Sequence, residues 1–124
     1  MNGGKDILKD KSFDFAIRIV NLCAYLTNEK KEYVLSKQLL RSGTAIGALV
    51  RESKNAESKA DFIHKLAIAQ KECDETIYWL ELLGATRIIS SAEYDSISSG
   101  ALELLKMLRS SIITAKKNLK VYNS

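Results

Sequence analysis

Asp61 and His64 form the one spacing in this sequence that matches a metal-binding pattern, because a carboxylate and a histidine three residues apart share a helix face. Di-metal helical bundles need two such pairs and further inward carboxylates, whereas this chain has a single histidine. Cys23 and Cys73 stand in separate apolar stretches, where buried thiols are expected rather than reactive ones. The sequence therefore predicts a protein that is not an enzyme and has no cofactor and no metal site.

Clustered cations are the second group of residues with a chemical use, because Lys and Arg on one face attract the phosphates of nucleic acid. At 100° per residue, five cations of the last predicted helix fall within an arc of about 100°, namely Lys106, Arg109, Lys116, Lys117 and Lys120. The second predicted helix gathers Lys37, Arg41 and Arg51 within about 80°. A solvated face near the helix C-termini is the alternative. No aromatic residue interleaves the helix-four cations, so any binding is predicted to be led by phosphates, with little sequence specificity.

Carboxylates gather on the third predicted helix, at Glu72, Asp74, Glu75 and Glu81. The alternatives are pairs within the helix, for which Asp61 with Lys65 is an expected example, and pairs with Arg41 or Arg51 of a neighbouring subunit. Both alternatives fit the sequence.

Tyr78 and Trp79 lie beside these carboxylates and are expected to anchor packing or a subunit interface, where aromatic residues are enriched.

The composition favours long helices that present these residues. The chain has 124 residues, no proline and only six glycines, and proline is the main breaker of helix interiors. This length fits one domain, and the composition argues against a sandwich, a barrel or a nucleotide-binding α/β fold. The N-terminal residues lack the apolar region of a signal peptide, and no window approaches the roughly 18 apolar residues of a membrane span. With only two cysteines, a cytoplasmic protein is predicted.

Apolar spacing predicts four helices, at about residues 13–26, 32–55, 58–84 and 90–121, behind a flexible N-terminal tail of residues 1–11. Asn28 is the expected left-handed cap of the first helix, and Gly84 the expected stop of the third. Ser58 and Ser90 open capping boxes. Helices of this length with short connections predict an all-α, antiparallel up-down-up-down four-helix bundle over residues 12–122.

The first helix has two apolar sets. Phe15, Ile19, Leu22 and Leu26 mark the core-facing stripe, and a second set is expected to widen it. This second set consists of Phe13, Ala16, Val20 and Cys23.

Gly43 and Gly47 lie one turn apart in the second helix, where their missing side chains permit the close approach of another helix. Packing inside the bundle and a crossing between subunits are both open. A phosphate-binding glycine loop would need a preceding strand and a Lys followed by a hydroxyl residue, but Ala48 and Leu49 occupy those two positions.

Several blocks resemble four-helix bundle proteins encoded in intervening sequences of bacterial large-subunit ribosomal RNA. These blocks are FDFAIRIV at residues 13–20, YVLSKQLLRSGTAIGA at 33–48, DFIHKL at 61–66 and KECDETIYWLELL at 71–83. The resemblance implies a bundle that assembles as a homopentamer, with RNA or other nucleic-acid binding the usual suggestion for its role. Accessory proteins of diversity-generating retroelements are similar in fold and bind nucleic acid and a reverse transcriptase.

The combined prediction is a cytoplasmic homo-oligomer, pentameric by resemblance, that binds RNA or DNA. Five copies of the net charge of +4 would carry about +20 and make weak contacts additive. The alternative is an oligomeric scaffold that binds another protein, without nucleic acid, through the apolar and acidic groove near Trp79 and Glu75.

Overall fold

The computed structural model describes the backbone of residues 6–123 and the side chains of residues 6–119. It contains four helices, α1 (Ile7–Asn28), α2 (Val34–Lys54), α3 (Lys59–Ala85) and α4 (Ser91–Asn123). Each helix packs against the next and α4 returns to α1, whereas α2 and α4 occupy opposite corners. Within this described range there is no strand. The predicted antiparallel four-helix bundle is confirmed.

Helix α1 begins six residues earlier than predicted, so the expected tail is wrong for residues 7–11. The Asp6 carboxylate caps the helix by accepting a hydrogen bond from the Lys9 amide at 3.0 Å, and it also pairs with Lys54 at 2.7 Å. Burial alone would raise the pKa of Asp6, but the bonds from Lys54 and Lys9 lower it below its ordinary value. Leu8 is buried and ties this first turn to the core. Residues 1–5 of the predicted tail lie outside the described residues.

The connection between α1 and α2 differs from the predicted Asn28 cap. Asn28 is still helical, and the left-handed residue is Lys31, with φ 56°. The Glu32 amide donates to the Leu26 carbonyl at 2.9 Å, while the Glu32 carboxylate accepts from the Ser36 amide at 2.7 Å. Glu32 thus bonds to the end of α1 through its amide and to the start of α2 through its carboxylate. The chain reverses its direction just before this residue.

Both predicted serine caps are present, and the capping box is complete at Ser90. The Asp61 amide donates to Ser58 Oγ at 3.0 Å at the start of α3. At the start of α4 the exchange is reciprocal, because the Glu93 amide donates to Ser90 Oγ at 3.1 Å and the Ser90 amide donates to Glu93 Oε1 at 2.9 Å. These bonds satisfy amides that have no partner within the helix.

Gly84 is not the end of α3, which continues to Ala85. A Cβ at position 84 would lie 3.0 Å from the Tyr94 ring, so the glycine serves the close approach of α4. The left-handed residue of this connection is Arg87, with φ 61°.

The core fills with side chains from all four helices, and Ile19, Ile46, Leu80 and Leu108 are completely buried. The second apolar set of α1 is only partly core-facing. Cys23 is buried, whereas Phe13 and Val20 are 49% and 48% exposed. The expectation that Phe13 and Val20 widen the core stripe is therefore wrong, because α2 and α4 already cover the other side of α1.

Gly43 and Gly47 bring α2 against α1 of the same chain. A Cβ at position 43 would stand 2.8 Å from two carbons of Ile19, and one at position 47 would stand 3.3 Å from the Ser12 carbonyl oxygen. The two glycines therefore serve the close packing of α2 against α1 inside the bundle. Along the described residues, no helix is both long enough and apolar enough to cross a membrane.

Candidate nucleic-acid interface

The α4 cationic stripe consists of Lys106, Arg109, Lys116 and Lys117, all with exposed side chains. It lies opposite the buried residues of α4, because Leu104 and Leu108 face the core. None of the four cations forms an ion pair with another side chain in the described part of the chain. Lys120, the fifth predicted member, lies outside the residues whose side chains are described.

A shallow groove of about 380 Å³ lies at the edge of this stripe, beside Lys106. It is lined by Lys106, Met107, Ser110 and Ser111. The two serines place hydroxyl groups beside the cations, and hydroxyls are regular donors to phosphate oxygens. The sequence prediction did not include these serines, because it considered only charged residues. The position of Ser110 directly after Arg109 could have indicated a neutral donor beside the cations.

Leu102 and Ile113 lie on the same side of α4 and are 54% and 55% exposed. The stripe is therefore a cationic surface with apolar side chains between its charges. The aromatic residue of α4 with a described side chain is Tyr94, which packs against Gly84 near the other end of the helix. The surface offers charge and hydroxyl groups to a ligand, and among the described side chains of α4 no ring lies beside them on which a base could stack.

The α2 cations have other contacts. Lys37 is exposed, but the Arg51 guanidinium lies 5.0 Å from the centre of the Phe13 ring. Arg41 donates to both Glu72 oxygens, at 3.2 and 3.3 Å, and also to Glu75. The hydrogen bonds that Arg41 donates to Glu75 and then to Glu72 raise the pKa of Arg41 above its ordinary value. Arg41 therefore balances its charge within the chain and is not a free cation.

The α2 and α4 cations do not form one surface in a single chain. The two helices sit at opposite corners of the bundle and make no direct contact over the described residues. Their cations point outward, because the opposite faces, with Ile46 on α2 and Leu108 on α4, are buried. A ligand that spans both sets would have to wrap around the bundle or bridge two subunits.

Two acidic residues of α3 pair with a cation of α2. Within the chain, the partner of Glu72 and Glu75 is Arg41, rather than a residue of α3. Lys65 pairs with Glu52 of α2 at 3.3 Å and not with Asp61. These bridges cross the seam between α2 and α3, where the two side chains approach from facing helices. Asp74 and Glu81 are exposed and have no ion-pair partner among the described side chains.

Trp79 belongs to the same network. Its indole nitrogen donates to Glu75 Oε2 at 3.0 Å, and its ring meets the Tyr78 ring edge-on at 5.1 Å. The Trp79 bond and then the Arg41 bond lower the pKa of Glu75 below its ordinary value. Trp79 is half-buried against the core, whereas Tyr78 is 55% exposed. Trp79 is thus a packing residue, and Tyr78 is left on the surface.

Cys23 and Cys73 are buried free thiols, as the sequence predicted. Their sulfurs donate to the carbonyls of Ser36 and Ala101, each at 3.3 Å. Burial raises the pKa of Cys23 to about 11 and that of Cys73 to about 12, so both thiols are protonated near neutral pH. Among the described residues no three His, Cys, Asp or Glu side chains gather where they could hold a metal ion, and His64 is exposed.

These features define a small four-helix bundle with a cationic outer surface on α4. The sequence matches the 23S rRNA-intervening sequence protein family over residues 5–110, and the chain belongs to that family. The resemblance noted in the sequence blocks is confirmed.

A crystal structure of a protein with unknown function, from the S23 ribosomal protein family of Bacteroides thetaiotaomicron VPI-5482, has the same fold. That protein is 57% identical in sequence, and the alignment covers 86% of this chain and 98% of the other with a TM-score of 0.85. No curated protein matches this chain in sequence.

Proposed function

We propose that this chain is a non-enzymatic, cytoplasmic, homo-oligomeric bundle that binds RNA or DNA through the α4 cationic stripe. The observation that carries the proposal is the set of four exposed cations, Lys106, Arg109, Lys116 and Lys117, on one face without ion-pair partners among the described residues. Unpaired cations can exchange their counterions for phosphates, and the released ions drive association.

Phosphate contacts would dominate the binding. Ser110 and Ser111 add neutral donors beside the cations, and Leu102 and Ile113 add apolar surface suited to sugar rings. These groups do not read base edges, so the expected preference is for the shape and charge of a structured nucleic acid. The family description refers to 23S rRNA, which makes structured RNA the first polyanion to test.

Assembly would strengthen a contact that is weak in one chain. A homopentamer, the state implied by the family resemblance, would present the α4 stripe five times. Binding of one stripe then raises the effective concentration of the others near the same RNA. The proposal therefore joins two properties, phosphate binding by α4 and self-association, which separate experiments can measure.

The test compares two variants that lose the same charge. One replaces Lys106, Arg109, Lys116 and Lys117 with Ser, and the control replaces the exposed cations Lys9, Lys30, Lys31 and Lys71 with Ser. We expect the stripe variant to lose at least about tenfold in affinity for a structured RNA, while the control loses much less. Equal losses would assign the binding to net charge, and unchanged affinity in the stripe variant would remove α4 from the interface.

The alternative function is a protein-binding scaffold without nucleic acid. Its predicted groove near Trp79 and Glu75 is already occupied by the bonds among Arg41, Glu75 and Trp79, which disfavours that location. Purification of the native complex discriminates between the two functions. Nucleic acid that dissociates at high salt supports the proposal, whereas a stoichiometric protein partner that stays bound at high salt supports the scaffold.

A further inference from the structure

Helix α1 carries an apolar stripe on its solvent side that the other described helices leave largely exposed. Phe13, Ile17 and Val20 are 49%, 46% and 48% exposed, and Ala24 continues the row one turn further. Their spacing of four, three and four places them within about 60° of each other around the helix. A surface helix normally presents polar residues there, and a helix that is apolar on both sides is usually covered on both.

Helix α2 extends this stripe into a groove. A cleft of about 380 Å³ between α1 and α2 has Val20, Ala24, Tyr33 and Leu40 among its lining residues, with Lys37 at its rim. Tyr33 and Leu40 are 59% and 39% exposed, so the apolar surface is continuous across the two helices. We call the α1 stripe and this groove together the α1–α2 face.

The charges along the α2 border of this face are cationic. Arg51 lies over the Phe13 ring, and Lys37 stands at the groove. Neither has an ion-pair partner among the described side chains. Two copies of this face set against each other would bring like charges together, which disfavours pairing of the face with itself.

A complementary surface lies on α3. Tyr78 is 55% exposed and stands between Asp74 and Glu81, two exposed carboxylates without ion-pair partners among the described residues. The three residues fall within about 60° around the helix. Lys71 lies on the same side, one turn before Asp74. This acidic segment combines an aromatic anchor with carboxylates, which are complementary to an apolar groove that has Lys37 in its lining.

The heights of the two surfaces along the bundle also match. The ion pair of Arg41 with Glu75 and the hydrogen bond from Thr76 to Ser42 at 2.9 Å set the register of α2 and α3. Because the helices are antiparallel, Tyr78 lies level with residue 38 of α2. Lys37 and Leu40, at the groove, stand on either side of that level. A second copy rotated about an axis parallel to the bundle would therefore meet the groove without sliding along it.

We infer that the α1–α2 face binds a second copy of this chain through the Asp74–Tyr78–Glu81 segment of α3. Tyr78 enters the groove beside Val20 and Leu40, while Glu81 approaches Lys37 of the other copy. The two contacting surfaces differ, so each chain can bind one neighbour on each side, and the chain of contacts closes into a ring when the rotation permits. This inference rests on the self-association proposed above and assigns its contact surfaces.

The test is the molar mass in solution, measured by light scattering at micromolar concentration. The Val20→Asp variant places a charge in the groove and is expected to weaken association at least about tenfold. The control, Ile7→Asp, changes a comparably exposed apolar residue in the first turn of α1, outside the α1–α2 face, and leaves the mass unchanged. Lys37→Glu and Glu81→Lys each weaken association, and the double variant recovers it because the charges are exchanged across the contact.

Each outcome decides a different claim. A wild-type oligomer that is unaffected by all three substitutions overturns the assigned surfaces but leaves self-association intact. A wild-type monomer overturns both, while RNA binding by the α4 stripe is judged separately by the Ser variants. Circular dichroism checks that Val20→Asp remains helical. If it unfolds, the exchange between Lys37 and Glu81 decides the inference, and failure of the double variant to recover association overturns it.

Discussion

Single atoms decide whether α1 and α2 can approach as closely as they do. Gly43 is buried against Ile19, and the missing Cβ leaves the space that the isoleucine carbons occupy. Alanine is normally the better helix former by about 1 kcal/mol. At this position, however, the added carbon would stand 2.8 Å from two Ile19 carbons, which is closer than carbon atoms pack.

We expect Gly43→Ala to destabilise the fold by about 1–3 kcal/mol, because the cost of overpacking exceeds the gain in helix propensity. Denaturant unfolding followed by circular dichroism measures this change. An increase in stability of about 1 kcal/mol, the value for an open helical site, would show that α1 can move away at no cost and would contradict the packing account.

Glu75 is the residue through which acid should weaken the seam between α2 and α3. Its folded-state pKa lies below the ordinary value of 4.5, because Trp79 and Arg41 bond to the ionised form. Its contribution to stability is therefore complete above the ordinary pKa and is lost as the pH falls through the lower folded-state pKa. Since 37% of the Glu75 side chain is exposed, solvent screening keeps this contribution modest.

Glu75→Gln should flatten the fall in melting temperature between about pH 6 and about pH 3. Glu81→Gln, an exposed carboxylate without an ion-pair partner among the described residues, is the matched control and should leave the slope as in the wild type. Trp79 is the only tryptophan, so its fluorescence should also follow the protonation of Glu75. An identical slope in all three proteins would remove Glu75 from the acid response.

At the scale of the helix, periodicity and capping predicted most of the architecture. The boxes at Ser58 and Ser90 located the starts of α3 and α4, because a hydroxyl three residues before an acidic side chain satisfies amides locally. The start of α1 was missed because its charges suggested a tail, although Asp6 is a capping residue with a buried leucine two positions later. Sequence patterns predicted the start of a helix correctly where the capping hydrogen bond joins residues a few positions apart in the sequence.

The sequence could not predict which neighbour each outward residue meets. Arg41 was assigned to a phosphate-binding set, but its position opposite Glu72 and Glu75 depends on the register of two helices. Phe13 and Val20 have the spacing of core residues, but only the opposite side of α1 packs against the other helices, so these two side chains are exposed. Angles around one helix identified the α4 stripe correctly as an exposed face because that inference involved a single element.

Ser90→Ala should reduce the stability of the fold by about 1 kcal/mol, because it removes the acceptor for the Glu93 amide at the start of α4. Ser91→Ala changes an exposed serine at the next position and is the matched control. Chemical denaturation of both variants measures the difference. Equal stability of the two variants would show that the capping box does not anchor α4.

At the scale of the whole molecule, the net charge of +4 conceals separated surfaces. The α4 stripe is cationic, the Asp74–Tyr78–Glu81 segment is acidic, and the α1–α2 face is apolar with a cationic border. Three different surfaces on one small bundle allow self-association and phosphate binding to use separate helices. Substitutions in the α4 stripe should therefore change the RNA affinity of each stripe without changing the molar mass. Substitutions in the α1–α2 face should change the molar mass without changing the RNA affinity of each stripe.

The most direct test of the central claim is the salt dependence of RNA binding by the wild type and by the variant with Ser at positions 106, 109, 116 and 117. Each phosphate contact contributes about 0.7–0.9 to the slope of log affinity against log salt. If α4 is the interface, the slope should fall by about one contact for each cation that is lost, together with the affinity at low salt. A slope that stays at the wild-type value would contradict the account, because the counterions released on binding would then come from another surface.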